Sequence, residues 1–150
     1  MTQNRRQKQD LRAHQAATAA GFMVTRRYTI LLGHVMQEHP ELGDFGIGVF
    51  DPRRKTAAQR QTELATHRRE LARSVAGVMQ TVAWLDGNVT PIKTPTYSSY
   101  GVKHIMERDS GLYVTNGVFI AAALIAGYPH SYDRPNVLFG MSARDLKRLS

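Results

Sequence analysis

Residues 94–128 read TPTYSSYGVKHIMERDSGLYVTNGVFIAAALIAGY and contain the strongest structural signals in the chain. Two Thr-Pro pairs in and just before this stretch favour extended backbone, so the first helix is predicted over 98–109. After a turn at Gly111, Thr115 or the residue that follows it can cap a second helix over 117–126. This second helix is apolar around its whole circumference, which predicts that it is buried.

The order of helix, short turn and helix is typical of a helix-turn-helix unit. The apolar second helix, however, lacks the polar side chains with which a recognition helix reads base edges. If this pair of helices binds nucleic acid, the contacts must come from the first helix and the turn. Such contacts favour recognition of phosphates or of shape over recognition of bases.

The amino-terminal half contributes further helices. Residues 4–20 are rich in Gln, Arg and Ala, and Gly21 is a suitable C-cap. We therefore predict a basic helix or arm over residues 1–21, followed by a single mainly helical domain over 22–150.

A core helix is predicted next, from Thr25 as N-cap to the residue before Pro40. The glycine-rich loop that follows is predicted to hold a short strand at 47–50. Its spacing G-D-F-G-I-G lacks the strand before and the helix after that a nucleotide-binding fingerprint requires. The sequence therefore predicts no cofactor.

The segment 56–85 has the clearest helical periodicity and is predicted to form one helix. Its apolar residues follow heptad-like steps, and they are Leu64, Leu71, Val75, Val78, Val82 and Leu85. Such a seam can pack inside a helical bundle or join two copies in a homodimer. Because it covers only about three heptads, packing within the chain is favoured.

The carboxy-terminal tail is predicted to add an extended element at 137–139 and a final helical turn capped by Ser142. The fold class is thus mainly α: a single-domain helical bundle with a helix-turn-helix-like pair near the C-terminus and a minor extended or β element.

Charge indicates a polyanionic partner. The chain of 150 residues has 20 Lys and Arg against 12 Asp and Glu, a formal net charge of +8, and most of the excess lies before residue 74. Clustered cations displace the counterions that condense on phosphate backbones. The leading prediction is a non-enzymatic nucleic-acid-binding or regulatory module. Its candidate contact residues are Arg53, Arg54, Lys55, Arg60, Arg68, Arg69, Arg73, Tyr100, Lys103, His104, Arg108 and Arg134.

Two alternatives stay open. One is a protein-interaction module, an inhibitor or adaptor that dimerises through the 64–85 helix. The other is a small nuclease in which His104 and Glu107, three residues apart on an exposed helix face with Lys103, transfer protons together with His130. In the tail, Tyr128 and its polar neighbours could stack on unpaired bases or simply cover the buried helix.

The absence of cysteine excludes disulfides, thiolate catalysis and Cys-based zinc sites. No run of about 18 apolar residues is present, and the amino terminus is polar and basic. A cytoplasmic protein that does not enter membranes is expected.

Overall fold

The computed structural model describes the backbone of residues 2–150 and the side chains of residues 5–16 and 18–150. Helices dominate this part of the chain, which confirms the mainly α prediction with minor strands. The helices are α1 (Thr2–Glu38), α2 (Ala57–Ala72), α3 (Val75–Asn88), α4 (Ser99–Ser110), α5 (Asn116–Ile125) and α6 (Ala143–Leu149). The strands are β1 (Leu42–Gly43), β2 (Gly46–Ile47), β3 (Tyr97–Ser98), β4 (His130–Asp133) and β5 (Asn136–Phe139).

Helix α1 is one continuous element of 37 residues, so the predicted C-cap at Gly21 and N-cap at Thr25 are wrong. The hydroxyl of Thr25 donates to the carbonyl of Gly21, 3.0 Å away, and leaves the backbone ladder intact. A single glycine costs a helix only about 1 kcal/mol relative to alanine. The described side chains from Arg5 to Arg27 are all exposed, and Tyr28 is the first that is partly buried. The amino-terminal part of α1 therefore projects beyond the core.

The segment 56–85 forms two helices rather than the single one that its periodicity predicts. The break lies at Arg73 and Ser74, where the Ser74 amide donates to the carbonyl of Leu71 at 2.9 Å. The Ser74 hydroxyl donates to the carbonyl of Glu70 at the same distance. Neither glycine nor proline stands at the break, which explains why the residue pattern does not reveal it.

The apolar seam of this segment is used inside the chain. Leu71, Val78, Val82 and Leu85 are buried, and α3 packs against α5 and α1. This arrangement agrees with the intramolecular packing favoured above, and it leaves these four side chains unavailable to a second copy.

Helix α5 lies at the centre of the core, as its composition predicts. Every residue from Gly117 to Ala123 is buried. The Thr115 hydroxyl caps the helix by accepting a bond from the Val118 amide at 3.2 Å. The ring of Phe119 meets the ring of Phe139 in β5 edge to face, with centroids 6.4 Å apart.

The strands form two small antiparallel sheets. Strand β5 pairs with β3 on one side and β4 on the other, which confirms the predicted element at 137–139. In the glycine-rich loop, β1 and β2 form a hairpin instead of the predicted strand at 47–50. This hairpin contacts the turn between β4 and β5, because the Ile47 amide donates to the carbonyl of Pro135 at 2.8 Å. Gly46 allows the approach: its φ is +133°, and a Cβ there would lie 2.4 Å from the same carbonyl oxygen.

Helices α4 and α5 are joined as the sequence predicts. Gly111 ends α4 in the left-handed conformation, with φ of 71°. Helix α6, capped by the Ser142 hydroxyl, closes the chain against α4.

Candidate functional site

A cavity of about 580 Å³ opens where α4, the first turn of α5 and the two hairpins meet. Its wall combines aromatic rings, amides and charged groups from segments far apart in sequence. The lining residues are Asp44, Phe45, His67, Tyr100, Lys103, Tyr113, Thr115, Asn116, Pro135 and Asn136.

The β1–β2 turn is held against the start of α5. The Thr115 hydroxyl donates to Asp44 Oδ1 at 2.7 Å, and the Gly117 amide donates to the Asp44 carbonyl at 2.9 Å. A Cβ at position 117 would lie 1.9 Å from the carbonyl oxygen of Gly43, so only glycine permits this contact. The Thr115 bond fixes Oδ1 of the Asp44 carboxylate, and Oδ2, which has no hydrogen bond from the described residues, can accept from a ligand.

Two amides form the polar part of the wall. Asn116 Nδ2 donates to Asn136 Oδ1 at 2.9 Å. Asn116 Oδ1 is buried and has no hydrogen-bond partner among the described residues. Buried polar atoms are nearly always paired, so this oxygen marks a position of unmet hydrogen-bonding capacity at the cavity.

Lys103 is buried, with 5% of its surface exposed, although the sequence predicts an exposed side chain. Its ammonium donates to Glu107 Oε1 at 2.6 Å and lies 5.7 Å and 5.2 Å from the ring centroids of Tyr100 and Tyr113. The two rings remain 54% and 78% exposed. Lys103 is therefore covered by a carboxylate and two tyrosines, while the tyrosines themselves face solvent.

The predicted pairing of His104 with Glu107 is present. His104 Nδ1 lies 3.2 Å from Glu107 Oε2, and the imidazole meets the Tyr100 ring edge to face. Burial alone would raise the pKa of Glu107, but the hydrogen bond and charge of Lys103 and the nearby His104 outweigh it and hold this pKa below its ordinary value. Glu107 is thus a stable carboxylate shared by two nitrogen groups. Arg108, on the same helix, is exposed.

Arg68 has a structural position. Its guanidinium donates three bonds of 2.8–2.9 Å to the carbonyls of Met36, His39 and Leu42. These carbonyls belong to the end of α1 and the residues just after it, where a cation also complements the helix dipole. The guanidinium joins α1 to α2 and faces the protein rather than solvent.

Several other predicted cations also have partners in the chain. Lys55 pairs with Glu63, Arg60 lies 3.3 Å from Asp51, and Arg134 pairs with Glu41. The five that stay exposed without a salt bridge among the described residues are Arg53, Arg54, Arg69, Arg73 and Arg108.

The projecting part of α1 carries a second set of cations. At roughly 100° per residue, one helix face collects five of the six Lys and Arg side chains of α1, namely Arg5, Lys8, Arg12, Arg26 and Arg27, and Arg6 lies outside it on the side of Val35 and Tyr28. The opposite face carries the side chains that pack on the core, which are Tyr28, Leu32, Val35 and Met36. All five cations are exposed, and none forms a salt bridge with another described residue.

The tail residues divide into two groups. Tyr128 is a core residue whose hydroxyl donates to the carbonyls of Leu85 and Val89, so it is not available to stack on bases. His130 and Tyr132 form an aromatic cluster with His39. The described contacts of His130 thus join it to this cluster rather than to His104.

Sequence reasoning identified Tyr100 and Lys103 but missed most of the cavity, including Asp44, His67 and Tyr113. The available signal was compositional: Tyr, Asn, Gly and His are dense between residues 97 and 136. That density covers the α4–α5 side of the cavity, whereas Asp44 and His67 come from segments that no local pattern connects to it.

Comparison with known proteins finds no family model, no curated protein and no solved structure that matches this chain significantly. Within residues 2–150, no helix combines the length and the apolar character needed to cross a membrane.

Proposed function

We propose that the protein is a non-enzymatic nucleic-acid-binding module that contacts the phosphate backbone through the outward face of α1. The observation that carries the proposal is the set of exposed, unpaired cations on a helix face turned away from the core. Five of the six Lys and Arg residues of α1 lie on this face, a distribution that solubility alone does not require.

The charge balance of α1 supports a polyanion as partner. Asp10 is the only acidic residue between positions 5 and 37, and its helical position lies away from the cationic face. A free helix fits the major groove of a duplex. Arg5, Lys8 and Arg12 follow steps of three and four residues and can meet phosphates along one edge.

The exposed residues Arg53, Arg54, Arg69, Arg73 and Arg108 are proposed as further phosphate contacts. Arg68 is left out of this set because its donors are used by the protein. A binding surface of this composition reads charge and shape, and it discriminates little between base sequences. We assign this activity to the cytoplasm, in keeping with the lack of cysteine.

The test is a comparison of two variants with the same change in net charge. In the first, Arg5, Lys8 and Arg12 are replaced by Gln. In the second, the exposed residues Lys93, Arg144 and Lys147, which lie elsewhere on the surface, are replaced by Gln. Affinity for a mixed-sequence duplex is measured by fluorescence anisotropy over a series of salt concentrations.

The α1 variant should bind more weakly and lose roughly two to three units from the slope of log K against log salt, about one for each lost phosphate contact. The control variant should keep the slope of the parent. An unchanged slope in the α1 variant, or equal losses in both, would reject α1 as the binding surface.

A protein-interaction module is the second candidate. It is favoured by the exposed apolar side chains of Phe22, Met23 and Val24 on the projecting part of α1. Replacing Phe22 and Met23 by Ser would then abolish partner binding. An apolar contact of this kind does not weaken steeply with salt, whereas a phosphate contact does.

The nuclease alternative rests on the 3.2 Å contact between His104 and Glu107. Against it, Glu107 already neutralises Lys103, and His104 is not part of the cavity wall. Cleavage of nucleic acid by the parent that disappears in both His104→Ala and Glu107→Gln, with the fold intact by circular dichroism, would replace the leading proposal.

A further inference from the structure

The cavity beside Lys103 is built from groups that recognise a flat, polar ring. We propose that it binds a 6-oxopurine base, as found in guanosine and guanine nucleotides. This inference is independent of the cationic face of α1, because none of the five α1 cations lines the cavity.

The aromatic content of the wall favours a ring as ligand. Tyr100 and Tyr113 stand at the cavity as exposed rings, and Phe45 and His67 add a second aromatic pair with centroids 6.0 Å apart. Stacking on such side chains is the main source of affinity for bases in many proteins. The volume of about 580 Å³ lies within the range of small-molecule sites and accommodates a nucleoside.

The charges favour a neutral ligand over an anion. The ammonium of Lys103 is already neutralised by Glu107, and Asp44 adds a carboxylate to the same wall. A phosphate or carboxylate group in the cavity would therefore meet more negative than positive charge. A base avoids this repulsion and leaves any phosphate outside.

The hydrogen-bonding groups match the edge of guanine. Lys103 has three N–H donors and uses one for Glu107, so others can donate to the O6 carbonyl. Asp44 Oδ1 accepts from Thr115, which leaves Oδ2 to accept from N1–H and the 2-amino group. Adenine has an amine in place of O6 and an acceptor in place of N1–H. In the same position, the 6-amino group of adenine would face the ammonium donors of Lys103, and its N1 acceptor would face the carboxylate of Asp44.

The experiment measures binding of guanosine, inosine and adenosine to the full-length protein by isothermal titration calorimetry. Guanosine should bind at least about tenfold more tightly than adenosine, the effect of one mismatched polar contact. Inosine, which keeps O6 and N1–H but lacks the 2-amino group, should fall between them.

Variants test the assigned residues. Tyr113→Ala removes an exposed ring and should weaken guanosine binding about tenfold, the low to middle range for the loss of one stacked side chain. Asp44→Asn should weaken guanosine by a similar factor and reduce the preference over adenosine. Phe22→Ala, which removes an exposed ring from α1 outside the cavity, is the matched control and should leave binding unchanged.

A base can reach the cavity as a free nucleotide or as part of a single strand. A uridine oligomer with one central guanosine, compared with the all-uridine strand in parent and Tyr113→Ala protein, separates the two sources. Guanosine-dependent strand binding that requires Tyr113 identifies a strand as ligand, and binding of the free nucleoside alone identifies a nucleotide. Absence of guanosine binding at its solubility limit, equal affinity for adenosine, or equal losses in Tyr113→Ala and Phe22→Ala would overturn the proposal.

Discussion

The ammonium nitrogen of Lys103 lies 2.6 Å from a carboxylate oxygen of Glu107, and the two side chains keep only 6% and 17% of their surface exposed. Two residues one helical turn apart thus form an ion pair largely removed from water. Such a pair is weak evidence for net stability, because desolvation offsets much of the attraction. Removing one member of the pair is destabilising, because the other charge then stays buried without a partner.

Glu107→Gln is therefore expected to lower the free energy of unfolding by about 3–5 kcal/mol, the range for removing one member of a buried pair. The double variant Lys103→Met, Glu107→Gln should recover most of that loss, because it leaves no buried charge. Urea denaturation of the parent, both single variants and the double variant gives the coupling energy. If the losses of unfolding free energy in the two single variants add up to the loss in the double variant, Lys103 and Glu107 do not interact energetically.

The same carboxylate makes stability depend on pH. The pKa of Glu107 in the folded protein is lowered from its ordinary value of 4.5. Its contribution is therefore fully present above that value and is lost as the pH falls through the lower folded pKa. The difference in unfolding free energy between the parent and Glu107→Gln should shrink as the pH falls below 4.5 and through the lower folded pKa. A difference that grows on acidification would contradict the sign of the shift.

Arg68 should affect stability rather than binding. Arg68→Gln removes one bond from each of the carbonyls of Met36, His39 and Leu42, at a cost of about 3 kcal/mol, although the His39 carbonyl keeps its bond from the Leu42 amide. Arg69→Gln, the adjacent exposed cation, is the control and should change stability by less than about 0.5 kcal/mol. Denaturant melts check both values. If both variants lose less than about 0.5 kcal/mol of stability, the three bonds of the Arg68 guanidinium do not stabilise the fold.

Local signals predicted the carboxy-terminal half of the fold well. The cap at Thr115, the left-handed Gly111 and the purely apolar run of α5 each depend on a few neighbouring residues. The break between α2 and α3 has no such marker, because it depends on bonds from the Ser74 amide and hydroxyl to carbonyls of α2 and on the packing of α3 on α5. Helix α1 was divided wrongly because it contains a marker that the structure does not use. Gly21 is a common C-cap residue, but α1 continues through it without a turn.

The cavity could not be predicted because its parts meet only in the tertiary structure. Asp44 and Thr115 are 71 positions apart, and their bond requires Gly117 to let two backbones approach. Lys103 was expected to be exposed from its helix position alone. Its burial follows from Tyr113, which arrives from the turn after α4, and from the long reach of its own side chain to Glu107.

The contact at Gly117 leads to a final prediction. In Gly117→Ala the new Cβ would lie 1.9 Å from the Gly43 carbonyl oxygen and 2.7 Å from the Asp44 Cα. Both are backbone atoms, which cannot move away by a change of rotamer. Helix propensity would favour alanine by roughly 0.5–1 kcal/mol, but overpacking of this kind costs about 1–3 kcal/mol or more, so the variant should be destabilised. Gly101→Ala in α4 is the matched control, because its added Cβ would meet no atom within 4 Å beyond the neighbouring backbone of its own helix, and it should gain stability by the propensity difference. Urea melts of both variants measure the two effects, and stabilisation of Gly117→Ala would show that the β1–β2 turn does not dock on α5 through this contact.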